Sequence, residues 1–142
     1  MRHGGHVSAE RVLSGRGIES LYTALAAVEG RGAPPPRDAP AITAAALAGE
    51  CPLCLEVLSV FCAILGGVAG DLALLYGARG GVFVAGGIPP RFPEFLAASQ
   101  FRARFEAKGR FRAWLAPVPA WLIMRPNPAM LGLAALARWQ PS

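Results

Sequence analysis

Cysteine is scarce and its count is odd. Cys51, Cys54 and Cys62 are the only three in 142 residues, and all fall in one short apolar region. The disulfide framework of a small secreted domain uses an even set spread along the chain. Such a framework is excluded, and a reducing, cytoplasmic setting is expected. Histidine is scarcer still, with only His3 and His6 near the start. Two imidazoles do not complete a metal site, and Cys51-x-x-Cys54 is half of a zinc site without a second half. The expectation is therefore no metal ligand set, with the thiols buried in a helix. The opening MRHGGHVSAERV has no apolar stretch after its basic start, which excludes a secretory signal. Long hydrophobic runs are missing too. The most apolar, Val57 to Gly70, is shorter than the ~20 residues a bilayer span needs, and Glu56 and Asp71 close it at both ends. Gly66-x-x-x-Gly70 within it is the small-residue spacing that lets helices touch. It predicts a buried core helix whose glycines admit a close neighbour, and no membrane segment.

What remains is apolar and moderately basic. Hydrophobic residues make up 54% of the chain and charged residues 16%, enough apolar surface to bury a core. The formal charge of +5 permits binding to nucleic acid or an acidic surface without demanding it.

Ser8 is placed to cap a first helix, with Glu10 and Arg11 in its opening turn. Gly15 and Gly17 punctuate, and Ile18 to Val28 carries apolar residues at mostly three- and four-residue steps, the pattern of a second helix. Residues 30–40, GRGAPPPRDAP, form a loop, because consecutive prolines suit neither a helix interior nor a central strand. A short helix is expected over Ile42 to Ala48. Pro52 suits the first turn of a long helix running to about Tyr76, with Gly77 as its stop. Val82 to Ala85, between paired glycines, reads as a buried strand. Short helices follow over Pro93 to Ala98, Phe101 to Glu106 and Arg110 to Leu115. Pro119 to Met124 reads as a second strand, and Asn127-Pro128 opens a last helix through Trp139. A parallel pair of strands separated by helices needs partner strands at its edges, so the pattern predicts a sheet to which other strands belong.

Two places could carry chemistry. The strand ending in Gly86-Gly87 puts bare backbone at the carboxyl end of a sheet, where ligands bind in open α/β folds; on spacing alone, paired glycines after a strand are simply a tight turn. Glu10, in the first turn of a helix, is on its own a partner for the helix dipole. A third feature is the basic, aromatic segment from Phe101 to Trp114. It has the composition of a single-stranded nucleic-acid surface, or of an amphipathic helix with its rings turned inward.

Several stretches taken together resemble the bacterial-type glucokinase family, within the sugar-kinase, actin and heat-shock ATPase superfamily. They are GHVSAERVLSG at residues 5–15, SAERVLSGRGIESLY, Cys51-Pro-Leu-Cys54 with Leu58-Ser-Val-Phe-Cys62, GGVFVAGGIPPRF at residues 80–92, FRARFEAKGRFR, and Asn127-Pro128. They occur in the family's order over nearly the whole chain. The resemblance implies an α/β fold, helix-rich with few strands, forming part of the large C-terminal lobe of a ribonuclease-H-like, two-lobed sugar kinase. Residues 1–142 would then be a partial lobe, with the N-terminal lobe and the catalytic segment absent. It also implies ATP-dependent phosphorylation of glucose to glucose 6-phosphate with magnesium. Glu10 would bond a glucose hydroxyl, and Gly86 and Gly87 would lie beside the adenosine. His3-Gly-Gly-His6 resembles the family's Glu-Gly-Gly-His sugar motif, but His6 aligns with the later GHVSAE segment, so the sugar motif itself would lie upstream. The family's Asp-x-Gly-Gly-Thr loop, Asn-Asp pair and second glycine-rich loop have no counterpart here. Asp38 sits in the proline loop and Asp71 in an apolar helix, so neither is placed as a sugar base. The chain alone is therefore expected to be inactive, working with a missing N-terminal portion or as a homodimer. The rival expectations are a non-catalytic interaction protein, half of a split kinase, or a basic nucleic-acid module on residues 101–114.

Overall fold

A computed structural model describes residues 7–139. His3 and His6 lie outside the described residues. Eight α-helices and two short strands follow in the order α1 (Ala9–Val12), α2 (Gly15–Val28), α3 (Ala39–Leu47), α4 (Pro52–Leu75), β1 (Val82–Val84), α5 (Pro93–Ala98), α6 (Phe101–Glu106), α7 (Arg112–Leu115), β2 (Ala120–Leu122) and α8 (Pro128–Arg138). Single 3-10 turns at Pro89–Arg91 and Gly109–Phe111 precede α5 and α7.

Everything is built around α4, which packs on α2, α3 and α6. Pro52 enters at its first position, where a missing N–H costs nothing. Val57, Leu58 and Cys62 are fully covered, and Phe61 nearly so. α4 runs for 24 residues, nearly to its expected end at Tyr76, and with a mean hydropathy of 2.1 over its most apolar window it matches a membrane span by length and composition. Half of that window is buried within the fold, as for a core helix. The expected role of its glycines is met in full. A Cβ on Gly66 would overlap the Phe101 carbonyl oxygen, and one on Gly70 the Phe105 carbonyl oxygen. The two glycines thus let the α6 backbone lie directly on α4 and seat the Phe101 and Phe105 rings in the core. Burying a side chain of that size contributes about 1.5–3 kcal/mol.

α2 offers Ile18, Tyr22 and Ala26 to α4, a stripe at four-residue steps. It begins at Gly15, earlier than its apolar pattern suggests. Ser14 caps it by accepting from the Gly17 N–H at 3.0 Å. Gly17 is a close-approach glycine rather than a break, since a Cβ there would overlap the Val12 carbonyl oxygen where α1 turns into α2. α3 likewise starts before Ile42. Asp38 caps it, accepting from Ala41 N–H at 2.8 Å, and Pro40 fits its first turn.

β1 and β2 pair in parallel, with Val82 opposite Ala120, Phe83 opposite Trp121 and Val84 opposite Leu122. Each is three residues long, shorter than the sequence pattern suggested. Among the described residues no further strand joins either edge. Phe83 and Trp121 stack with ring centroids 4.7 Å apart and stay largely exposed. α8 buries none of its residues.

Candidate functional site

The sheet positions the first candidate. β1 ends at Val84, and the chain leaves it through Ala85, Gly86 and Gly87 before the Pro89–Arg91 turn. Gly86 has φ of +123°, a conformation that glycine reaches freely and other residues do not. Gly87 needs no such φ. Both are exposed, and a Cβ on either would meet nothing within 4 Å. The turn therefore presents open backbone at the carboxyl end of the strand.

Beside it lies a cleft of about 310 Å³, lined by Gly87, Ile88 and Arg91 from the turn, Gly15 and Ile18 from α2, and Ala39, Pro40 and Thr43 from α3. Its lining is mostly apolar, with Arg91 the one charged side chain. The Thr43 hydroxyl is committed to its own helix, donating to the Ala39 carbonyl at 2.8 Å. The cleft is therefore suited to a flat, mostly apolar group whose polar parts leave toward Arg91. The sequence reading identified Gly87 and missed the others. Gly15, Ile18, Ala39, Pro40 and Thr43 come from helices far away in the chain, and only Ile88 and Arg91 lie near the glycines in sequence.

Glu10 is exposed in the single turn of α1, and its carboxylate makes no hydrogen bond or ion pair among the described residues. Ser8 occupies the cap position of that turn without a side-chain bond. Glu10 does not line the cleft beside Gly87. The structure thus joins Gly87 to the start of α2 and leaves Glu10 one short helix earlier, its carboxylate without a bond among the described residues.

Both aspartates have structural partners. Asp38 caps α3. Asp71 stands on the exposed side of α4 and receives the Lys108 ammonium at 2.7 Å. No group of three His, Cys, Asp or Glu side chains converges among the described residues.

The basic segment turns two of its rings inward. Phe101 and Phe105 are buried. Arg102 bonds Glu106 and three carbonyl oxygens, Arg79 lies over the Trp114 ring and Arg110 over Phe111. Over α6 this follows the amphipathic reading, but the segment is not one helix and Phe111 stays exposed. A second, apolar cleft of about 360 Å³ between the strands and α5 and α6 has this committed Arg102 as its charged lining residue.

Cys54 and Cys62 are buried in α4, as expected, but Cys51 is not in the helix. It is the half-buried cap of α4, its sulfur accepting from the Cys54 N–H at 3.4 Å. Burial pushes the Cys62 thiol up to about 11, and burial with the bond to Cys51 does the same for Cys54.

A family model described as Glucokinase matches residues 1–140. The chain is 52% identical over 134 residues to a glucokinase of Nitrobacter hamburgensis, covering 94% of this chain and 42% of that protein. It is 54% identical over 132 residues to a glucokinase of Paramagnetospirillum magneticum, covering 92% and 40%. The crystal structure of a glucokinase from an Antarctic psychrotroph superposes with a TM-score of 0.87 at 44% identity, over 95% of this chain and 42% of that one. The chain spans about two fifths of the length of the relatives it matches.

Proposed function

Because this chain belongs to the glucokinase family, we propose that it supplies the glucose-contacting and adenosine-contacting parts of a cytoplasmic kinase that transfers the terminal phosphoryl group of ATP to glucose. What carries this reading is the open Gly86–Gly87 turn beside the cleft formed with α2 and α3. Adenosine fits the chemistry of that cleft, with apolar walls for the base and bare backbone where a ribose must come close. Glu10 takes the sugar. An ionised carboxylate accepts two directional bonds from adjacent hydroxyls, and the Glu10 oxygens are not spent elsewhere among the described residues.

Phosphoryl transfer between the two substrates rests on positioning, on charge stabilisation around the phosphates and on a base at the attacking hydroxyl. Residues 7–139 are assigned the positioning share. Asp38 and Asp71 are engaged in the fold, so neither is assigned as the base. Magnesium, which the family implies, finds no group of three His, Cys, Asp or Glu side chains to hold it among the described residues.

The 142-residue chain is expected to show no glucose-dependent ATP turnover alone. Turnover should appear when it is fused to, or co-expressed with, the portion of the Nitrobacter relative that it does not match. A chain that purifies with robust glucokinase activity by itself would overturn the reading that residues 7–139 lack the base. A well-assembled complex without activity would overturn the kinase reading.

A further inference from the structure

Cys51 and Cys54 lie outside the glucose and nucleotide reading altogether. Cys51 has extended backbone, φ −140° and ψ 106°, just ahead of α4. As the cap residue, it turns its side chain back over the first turn, where its sulfur meets the Cys54 N–H at 3.4 Å. Pro52, between them, has no N–H to compete. The Cys51 side chain thus lies over the residue that carries the second thiol. Behind them, Arg37 Nη1 stands 3.9 Å from the Cys54 sulfur. Tyr22 of α2 is the other titratable neighbour. The two thiols differ in access, since Cys51 is half-buried and Cys54 fully buried.

We propose that Cys51 and Cys54 are a reversible redox pair, with Cys51 the attacking thiol and Cys54 the resolving one, exchanging with small-molecule disulfides. The helix N-terminus and the Arg37 guanidinium both favour a thiolate at this position. The Cys54 S–H bond holds the Cys51 thiol below its ordinary value, with burial working against it. In the first step the Cys51 thiolate attacks one sulfur of a disulfide such as oxidised glutathione. The Cys51–glutathione bond forms, the glutathione S–S bond breaks, and one glutathione thiolate leaves. In the second step the Cys54 sulfur attacks the Cys51 sulfur and its proton passes to the departing glutathione. The net change oxidises two protein thiols to a disulfide and reduces one glutathione disulfide to two thiols. Cys62, buried further along α4 with its thiol pushed up to about 11, is a built-in unreactive control.

The test uses the 142-residue chain with oxidised glutathione at neutral pH, followed by acid quenching, alkylation and peptide mapping. The expected product is a Cys51–Cys54 disulfide that dithiothreitol reverses, with Cys62 still reduced. Cys54→Ser should stop at one glutathione on Cys51, and Cys51→Ser should give neither adduct nor disulfide. In the unsubstituted folded chain, iodoacetamide should label Cys51 at least about tenfold faster than Cys62, a difference that denaturant removes. Should Cys54→Ser fail to fold by circular dichroism, the mapping and the labelling rates of the unsubstituted chain decide alone. Equal labelling of Cys51 and Cys62, a bridge that includes Cys62, or no 51–54 disulfide would overturn the proposal.

Discussion

Arg102 on α6 donates from Nη1 to the carbonyl of Val118 at 2.7 Å, joining the helix that lies on α4 to the segment that leads into β2. The same guanidinium reaches the Ala116 carbonyl at 2.6 Å and Glu106 Oε1 at 2.6 Å. It thereby satisfies carbonyls that α7 leaves open at its end. Arg102→Lys keeps the charge but loses the fork that serves several acceptors at once. It should lower stability by about 1–3 kcal/mol, nearly as much as Arg102→Ala. Urea unfolding of the three proteins checks this, and a lysine variant as stable as the parent would show that the fork contributes nothing.

The seam between α4 and α6 makes a sharper test because it contains its own control. Gly66→Ala must push the Phe101 backbone away and should cost about 1–3 kcal/mol. Gly67→Ala, one residue on, meets nothing within 4 Å and should gain about 0.5–1 kcal/mol from helix propensity. Opposite shifts in melting temperature are expected from neighbouring identical substitutions.

In the complemented kinase, Glu10→Gln should raise the KM for glucose roughly tenfold to a hundredfold and leave the KM for ATP unchanged, the loss of one charge-assisted bond. A role as helix-dipole partner predicts only a small stability loss. Gly87→Val should raise the KM for ATP alone, since its backbone is unstrained and its surroundings are open. Gly86→Val is the poorer probe. Its φ of +123° adds a backbone penalty of about 1–3 kcal/mol, so binding and stability would fall together. Steady-state kinetics beside thermal melts separates these cases.

Alkaline pH should weaken the fold through Cys62. Its native thiol titrates at about 11, against about 8.5 in an unfolded chain. Between those values the native state holds a proton that the unfolded state has released, so the stabilisation is whole below about 8.5 and is lost as pH rises through 11. The loss from this one group is on the order of 3 kcal/mol. Cys62→Ala should flatten the decline without abolishing it, because Cys54 is shifted the same way. Denaturant titrations at several values above pH 8 measure the slope.

Local patterns announced much of the fold. Proline at the first helical position, apolar steps of three and four, and glycine stops delimit α4, and the bounds of α5 and α6 agree with the sequence reading residue for residue. The Gly66-x-x-x-Gly70 spacing even announced a close neighbour. The failures have two causes: a local turn of the backbone that residue type does not reveal, and a role set by a partner far away in the chain. Gly17 reads as a break until the Val12 carbonyl is seen above it. Cys51 reads as one more helical thiol until its extended backbone makes it the cap. The walls of the Gly87 cleft come from α2 and α3, and no spacing rule connects Thr43 with Arg91. Gly86 and Gly87 carried only a weak signal of their own and Glu10 none, so it was resemblance to a family that singled them out.

The parallel register of Val82 with Ala120 has a kinetic side. Parallel strands cannot meet through a hairpin, and here three helices intervene, so the loop must close before any ladder bond rewards it. The contacts of α4 with α2 and α3 join neighbours in sequence and carry no such delay. The helical core should therefore assemble first and the two strands zip last, after the α6 backbone has settled on Gly66 and Gly70. Glycine substitutions in that seam would then slow the appearance of the Trp121 signal, where the indole stacks on Phe83, more than they slow the recovery of helicity.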